Sequence, residues 1–246
     1  MVVKDQAAGA SWGCTQPMCS DGAVAFFERH GQSNFLDVCY AAAPPRIQAA
    51  LVEELEFLRR VLQGSGRVLE LGCGNGRLLE ALRDCVSQWV GVDFLESYLR
   101  HARAQRRLAA GTALVAGRAP GLPFANAVFE VVVCAQNMLG LMGDQKLAVL
   151  REAKRIARPQ GTLVFLVYSA LSLVPRVEWY TEMHRRGMMA PLDWARSTPE
   201  LLITEDGHAS ECFRRERLEQ LFCEAGFTPR IEPLGELYWA VRANRD

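Results

Sequence analysis

"VLELGCGNGRLL", residues 68–79, decides the fold. An apolar run ends in Glu70, glycines follow at 72, 74 and 76, and apolar residues at helical spacing, Leu78, Leu79 and Leu82, take over. Glycine weakens both strand and helix. Three of them between the two therefore mark a sharp turn whose backbone N–H groups face a ligand at a helix N-terminus.

The same rhythm extends outward. From Pro45, Ile47, Leu51, Leu55, Leu58 and Leu62 recur at helical spacing until Gly64-Ser65-Gly66 stops them. Downstream, "QWVGVD" reads as a buried strand ending at Asp93, and Leu95, Leu99, Ala102 and Leu108 as a helix. "ALVA" (113–116) and the β-branched "FEVVVCA" (129–135) are strands. Asp144 is placed to cap a helix carrying Leu147, Leu150 and Ile156, which "RPQG" ends before the strand "TLVFLVYS". Such alternation specifies a parallel sheet with helices on both faces. Residues 170–210 break the rhythm. It returns with Leu218, Leu221, Phe222 and Ala225, capped by Gly226, and two strands, "FTPRI" and "ELYWAVRA", near enough in sequence to pair antiparallel. The reading is one domain, 43–246, with an insertion at about 170–210, preceded by an arm and lid over 1–42.

Composition excludes several classes. The 28 basic and 28 acidic residues cancel, which argues against a surface built to neutralise phosphates. No apolar run reaches the roughly 20 residues of a membrane span, and the N-terminus has no signal-like apolar segment. Eight cysteines lack metal spacing. Cys73, Cys134 and Cys223 fall inside apolar patterns, Cys14 and Cys19 in the arm, and a reduced, cytoplasmic protein without metal is expected. Arg100, Arg103 and Arg106 fall three apart, as on a solvated helix face.

A nicotinamide-binding loop would place a third glycine at 77, where this chain has Arg77. Glu70 beside the loop is poor company for a pyrophosphate and suits a cation. Asp93 ends the next strand, 21 residues beyond Gly72, where a carboxylate can accept hydrogen bonds from ribose hydroxyls.

"VLELGCGNG", "VGVDF", "AGRAPGLPF" before "FEVVVCAQN", "AKRIARPQGTLVF" and "LEQLFCEAGF" together resemble the successive motifs of class I S-adenosylmethionine-dependent methyltransferases, from about residue 43 to the C-terminus. The resemblance implies a Rossmann-like α/β fold: a doubly wound, mostly parallel seven-stranded sheet with its last strand antiparallel. It implies S-adenosylmethionine as cofactor and S-adenosylhomocysteine as product. Glu70 and the loop Gly72, Cys73, Gly74 and Gly76 would hold the methionine half. Asp93 would bind the ribose and Phe94 pack on the adenine, with Gly117, Arg118 and Ala119 at its edge. Many relatives have an acid where this chain has Arg118, so backbone contacts are expected there. Ala135 would lie under the methionine portion, and "SNFLDVCYAAAPP" looks like the family's lid, with Phe35 or Tyr40 closing over the cofactor and the Tyr40 hydroxyl reaching its carboxylate.

Methyl transfer mainly requires alignment, and a base only when the nucleophile arrives protonated. "AQNMLGLM" (135–142) lies where substrate meets cofactor in this family, which makes Asn137 a candidate polar contact, or else a turn former before Gly140. The run "NPPY" or "DPPY" of adenine and glutamine N-methyltransferases is absent. In the insertion, Trp179, Tyr180, Arg185, Arg186 and Trp194 suit a pocket for a small organic molecule or simple packing, and His184 and His208 are candidate bases. The expected reaction is methylation of O or N on a small molecule. Methylation of a protein or RNA, and cofactor binding without catalysis, are the alternatives. The sequence leaves the oligomeric state open.

Overall fold

Strand β1 (Ser65–Leu71) lies inside a seven-stranded sheet ordered β3-β2-β1-β4-β5-β9-β8. In this computed structural model residues 21–31 and 34–245 are described. Cys14, Cys19 and most of the expected arm fall outside them. β2 (Val86–Asp93), β3 (Ala113–Ala116), β4 (Phe129–Cys134) and β5 (Ala157–Tyr168) run parallel to β1. β9 (Tyr238–Asn244) inserts antiparallel between β5 and β8 (Arg230–Leu234), so the expected doubly wound sheet is borne out. Pro233 sits on the edge strand β8, where a missing N–H costs no ladder bond.

Alternation along each strand divides the core. Val68, Val133 and Val164 face α3 (Pro45–Leu62), α4 (Arg77–Ala81) and α5 (Glu96–Gln105). Leu69, Leu71, Val132 and Phe165 face α6 (Lys146–Ile156) and α8 (Arg215–Glu224). Covering both faces is why these strands read as continuous apolar runs. No helix among the described residues is long and apolar enough to cross a membrane.

Several local expectations are corrected. α3 buries Ile47, Ala50, Glu54 and Leu58, a face rotated away from Leu51 and Leu55, and so carries a carboxylate into the interior. "RPQG" does not precede β5 but bulges within it, with Gln160 at φ +62°. Asp144 lies in a 3-10 turn and its side chain caps nothing, because α6 starts from Gln145. Cys223 is on the exposed side of α8, since Leu218, Leu221 and Phe222 take the inner stripe. Arg106 is not solvated. It turns inward at the end of α5 to pair with Asp37 and Glu80 and donates to the Asn75 carbonyl at 3.1 Å.

The segment expected as an insertion forms α7 (Leu173–Arg185) and a two-stranded hairpin, β6 (Leu201–Ile203) with β7 (Ala209–Glu211). α1 (Asp21–His30) and α2 (Phe35–Ala41) lie over the carboxyl ends of the parallel strands, fastened at several points. Asp37 accepts from Asn75 Nδ2 at 2.9 Å and pairs with His101 at 3.1 Å. Trp179 Nε1 donates to the Cys39 carbonyl at 3.0 Å, and Arg29 pairs with Asp206 at 2.8 Å.

Candidate functional site

Strand order reverses between β1 and β4, the position where open α/β sheets bind ligands. A cavity of about 140 Å³ opens there. Gly72 and Gly74 form its floor, Asp93 and Phe94 one side, and Gly117, Arg118 and Ala119 the far edge. Ala135 and Tyr40 complete the wall, so nine of the twelve residues expected around a cofactor meet in one place. Gly72 has φ +70° and an added Cβ would stand 2.8 Å from Met138 Cγ. At Gly74, φ +51°, it would meet Leu36 Cδ1 at 2.7 Å. The loop is therefore shaped by positive φ and by close cover from above.

Asp93 already fixes that loop. Its Oδ2 accepts from the Gly74 N–H and its Oδ1 from the Leu95 N–H, both at 2.9 Å. Each oxygen retains a lone pair for a ligand hydroxyl. Burial pushes the Asp93 carboxyl up to about 6 against those backbone donors. The Arg118 side chain is engaged at the cavity edge. It pairs with Glu28 of α1 at 3.1 Å and lies 5.0 Å over the Phe94 ring.

Three expected residues are not on the wall. Cys73 turns its thiol toward β2, where a Cβ on Gly91 would meet it at 2.8 Å. Gly76 serves packing, since its added Cβ would reach Ala102 Cβ of α5 at 3.0 Å. Glu70 shares a strand face with Val68 and is enclosed beneath the loop, 4 % exposed, with Oε2 bonded to nothing. Burial, with Glu54 and Asp93 nearby, pushes its carboxyl up to about 8 despite Arg77.

Glu54, fully buried on α3, is a residue that sequence reasoning missed. Its Oε2 pairs with Arg77, whose guanidinium also lies 5.0 Å from the Tyr40 ring, and its Oε1 accepts from the Gln136 N–H at 3.0 Å. Gln136 Nε2 donates to Tyr238 Oη at 2.7 Å. The available signal was an acid inside the apolar stripe of a helix. Glu54 and Glu70 thus lie buried about one guanidinium, which Glu54 holds, while Asp93 is met by backbone donors.

A second cavity, about 120 Å³, adjoins the first across Tyr40, Gln136 and Leu141. Trp179, Tyr180 and His208 of the insertion line it, with Phe35 from α2. Among the candidate bases, His208 therefore reaches a cavity and His184 does not. His184 is exposed at the end of α7, with Nδ1 at 3.0 Å from the Met189 carbonyl. Arg185 and Arg186 pair with Glu182, and Trp194 is 64 % exposed. Burial, helped by Arg176 and His30 against Asp206, brings His208 down to about 4, so the ring is neutral at physiological pH.

Asn137 lines this cavity, but its side chain is spent on the fold. Nδ2 donates to the Glu211 carbonyl at 2.8 Å and to Ser210 Oγ at 3.2 Å, and Oδ1 accepts from the Tyr168 N–H at 3.0 Å. Its φ of +56° is one asparagine tolerates. The turn-forming role wins over substrate contact. Asn137→Ala is expected to destabilise the chain by about 3 kcal/mol through orphaned buried partners. Thermal unfolding checks this, and an unchanged midpoint would return Asn137 to the list of contacts.

The family model described as a methyltransferase domain matches residues 68–161. The demethylmenaquinone methyltransferase of Renibacterium salmoninarum is 28% identical over 137 residues, 56% of each chain. The present chain thus spans about half the length of the curated relatives it matches. A Thermotoga maritima structure described as an S-adenosylmethionine-dependent methyltransferase, "possible histamine N-methyltransferase", superposes with a TM-score of 0.61 at 20% identity, covering 90% of this chain and 99% of that one. The DhpI–SAM–HEP complex gives a TM-score of 0.64 at 15% identity, covering 91% and 98%. The resemblance read from the motifs is borne out.

Proposed function

We propose that this chain is a class I S-adenosylmethionine-dependent methyltransferase that methylates an O or N nucleophile of a small organic molecule. The observation that carries the reading is a glycine-floored cavity with the Asp93 carboxylate on its side and the buried Glu70 carboxyl, one oxygen unbonded, beneath its loop, which fits a cationic cofactor. When bound, S-adenosylmethionine supplies an electrophilic methyl group on a sulfonium. Asp93 would answer its ribose hydroxyls and Phe94 the adenine face, with Glu70 beneath the loop offsetting the positive charge of its amino-acid end. Tyr40, on the partition between the cavities, positions both occupants, and burial keeps its hydroxyl protonated, pushed up to about 12.

α1 and α2 act as the lid and exclude water from the reacting atoms. The aromatic lining of the second cavity supports a small acceptor over a protein or RNA, as does the similarity to demethylmenaquinone methyltransferases. The six described cysteines, all unpaired, support a cytoplasmic setting.

Calorimetric titration with S-adenosylmethionine and S-adenosylhomocysteine tests the reading. Micromolar binding is expected in the wild type, and Asp93→Ala is expected to weaken it roughly a hundredfold through two lost charge-assisted hydrogen bonds. A folded wild type that binds neither compound would sink the proposal. Binding without transfer of labelled methyl to any small-molecule pool would favour a non-catalytic partner role.

A further inference from the structure

Gln136, on the wall that the two cavities share, has one end of its amide free. Its Nε2 donates to the Tyr238 hydroxyl at 2.7 Å, and Tyr238 is buried in a stack with Tyr168, ring centroids 5.0 Å apart. Its Oε1 accepts from no donor among the described residues and is not sealed in the interior, because the side chain keeps part of its surface open. The backbone sets this direction. Gln136 and Asn137 follow β4 with φ of +51° and +56°, two successive left-handed residues without a glycine. Such a pair is strained and persists only where its surroundings over-determine it. Here Glu54 Oε1 takes the Gln136 N–H and the Leu166 carbonyl takes the Asn137 N–H, both at 3.0 Å.

What surrounds that oxygen decides its use. The second cavity is lined chiefly by aromatic rings, Leu and Met, and among the described residues no Asp, Glu, Lys or Arg lines it. Asn137 and Ser210 bond to each other, and their remaining partners are Glu211, Tyr168 and Arg176. His208 Nε2 is met by the Tyr180 hydroxyl at 3.3 Å, and its Nδ1 is enclosed. An unpaired amide oxygen in apolar surroundings favours a ligand that donates a hydrogen bond. A hydroxyl or an ammonium would have to give a proton to a base in order to attack. An aromatic amine arrives neutral, with its lone pair available. At about 120 Å³ the cavity is near the roughly 150 Å³ of an apolar cavity that admits benzene.

We propose that Gln136 selects the methyl acceptor as a neutral single-ring aromatic amine, its Oε1 accepting one N–H of the attacking nitrogen where the cavities meet. The inference rests on the methyltransferase reading and names the acceptor class. The nitrogen lone pair forms the bond to the methyl carbon as the carbon–sulfur bond breaks, and that electron pair remains on sulfur. Positive charge passes from sulfur to nitrogen, and the N-methylated product gives its extra proton to water. The negative end of the Gln136 amide dipole faces the nitrogen while this charge develops. The hydrogen bond is therefore stronger in the transition state than before it.

The probes are 4-nitroaniline, whose absorption moves to longer wavelength when its N–H groups donate, and N,N-dimethyl-4-nitroaniline, which has none to donate. Each is titrated into the full chain loaded with S-adenosylhomocysteine. Bound 4-nitroaniline is expected to show an added red shift that the bound dimethyl compound lacks. Gln136→Leu is expected to abolish that shift and weaken 4-nitroaniline roughly tenfold, with the affinity of the dimethyl compound unchanged. A general loss of structure would weaken both. With labelled S-adenosylmethionine, transfer to aniline is expected and transfer to phenol is not. Equal shifts for the two probes, no binding of 4-nitroaniline, or label on phenol or on neither ring would overturn the proposal, while S-adenosylhomocysteine binding by the same protein would leave the methyltransferase reading standing. A wild type that binds no S-adenosylhomocysteine would sink that reading and this inference with it. The wild-type spectra decide even if Gln136→Leu does not fold.

Discussion

Glu70→Gln is expected to leave the ligand-free protein as stable as the wild type near pH 5 and markedly more heat-stable at pH 9. In the unfolded chain this carboxyl ionises at about 4.5, whereas in the folded protein burial lifts it to about 8. Between those values the folded chain holds a proton that the unfolded chain has released. Stability is therefore fully present below the lower value and is lost as pH rises through the upper one. A shift of this size corresponds to on the order of 5 kcal/mol, or roughly 10–20 °C in the unfolding midpoint of a chain this long. Asp93, raised by burial to about 6, contributes the same sign over a lower window in both proteins, so their difference isolates Glu70. Circular-dichroism melts from pH 5 to 9 provide the comparison. Parallel pH curves for the two proteins would show that Glu70 is already satisfied and would remove its part in the case for a cationic cofactor. Saturating S-adenosylhomocysteine, which brings an ammonium group, should restore the wild type at pH 9 more than the variant.

The second large effect is destabilisation by Glu54→Ala. The substitution strips Arg77 of its partner and leaves the Gln136 N–H without an acceptor. Breaking one side of a buried pair costs about 3–5 kcal/mol, because the remaining charge stays buried. For this chain the expected fall in midpoint is roughly 6–20 °C. Glu54 also ties α3 to the segment between the two cavities, so acceptor and cofactor affinities should fall together in whatever protein remains folded. Arg77→Met in the Glu54→Ala background should recover part of the loss, since removing both charges leaves nothing unpaired. A double variant no more stable than the single one would show that the pair does not act as a unit.

The substitutions act through residues that differ greatly in how visible they are in the sequence. Gly72, Gly74 and Asp93 announce themselves because a strand-loop-helix turn and a strand-end carboxylate are local features, fixed by residues within one βα unit. Glu54 and Arg176 are silent for the opposite reason. Each looks like an ordinary polar position on a helix until tertiary packing places Glu54 under the glycine loop and Arg176 behind Tyr168. Asn137 was legible as either contact or turn, and only its bonds to Glu211, Ser210 and Tyr168, 31 to 74 residues away, decide for the turn.

By itself the sequence determined the alternating elements, the parallel sheet and the cofactor loop, because periodicity, glycine placement and strand-end acids act over a few residues. Only the tertiary structure decided which charges go unmatched. Whether a buried ion has a partner depends on helices and hairpins brought together from distant parts of the chain. Here that assembly left Glu70 beneath the glycine loop with an unbonded oxygen and Arg176 against the Tyr168 ring with no carboxylate partner among the described residues.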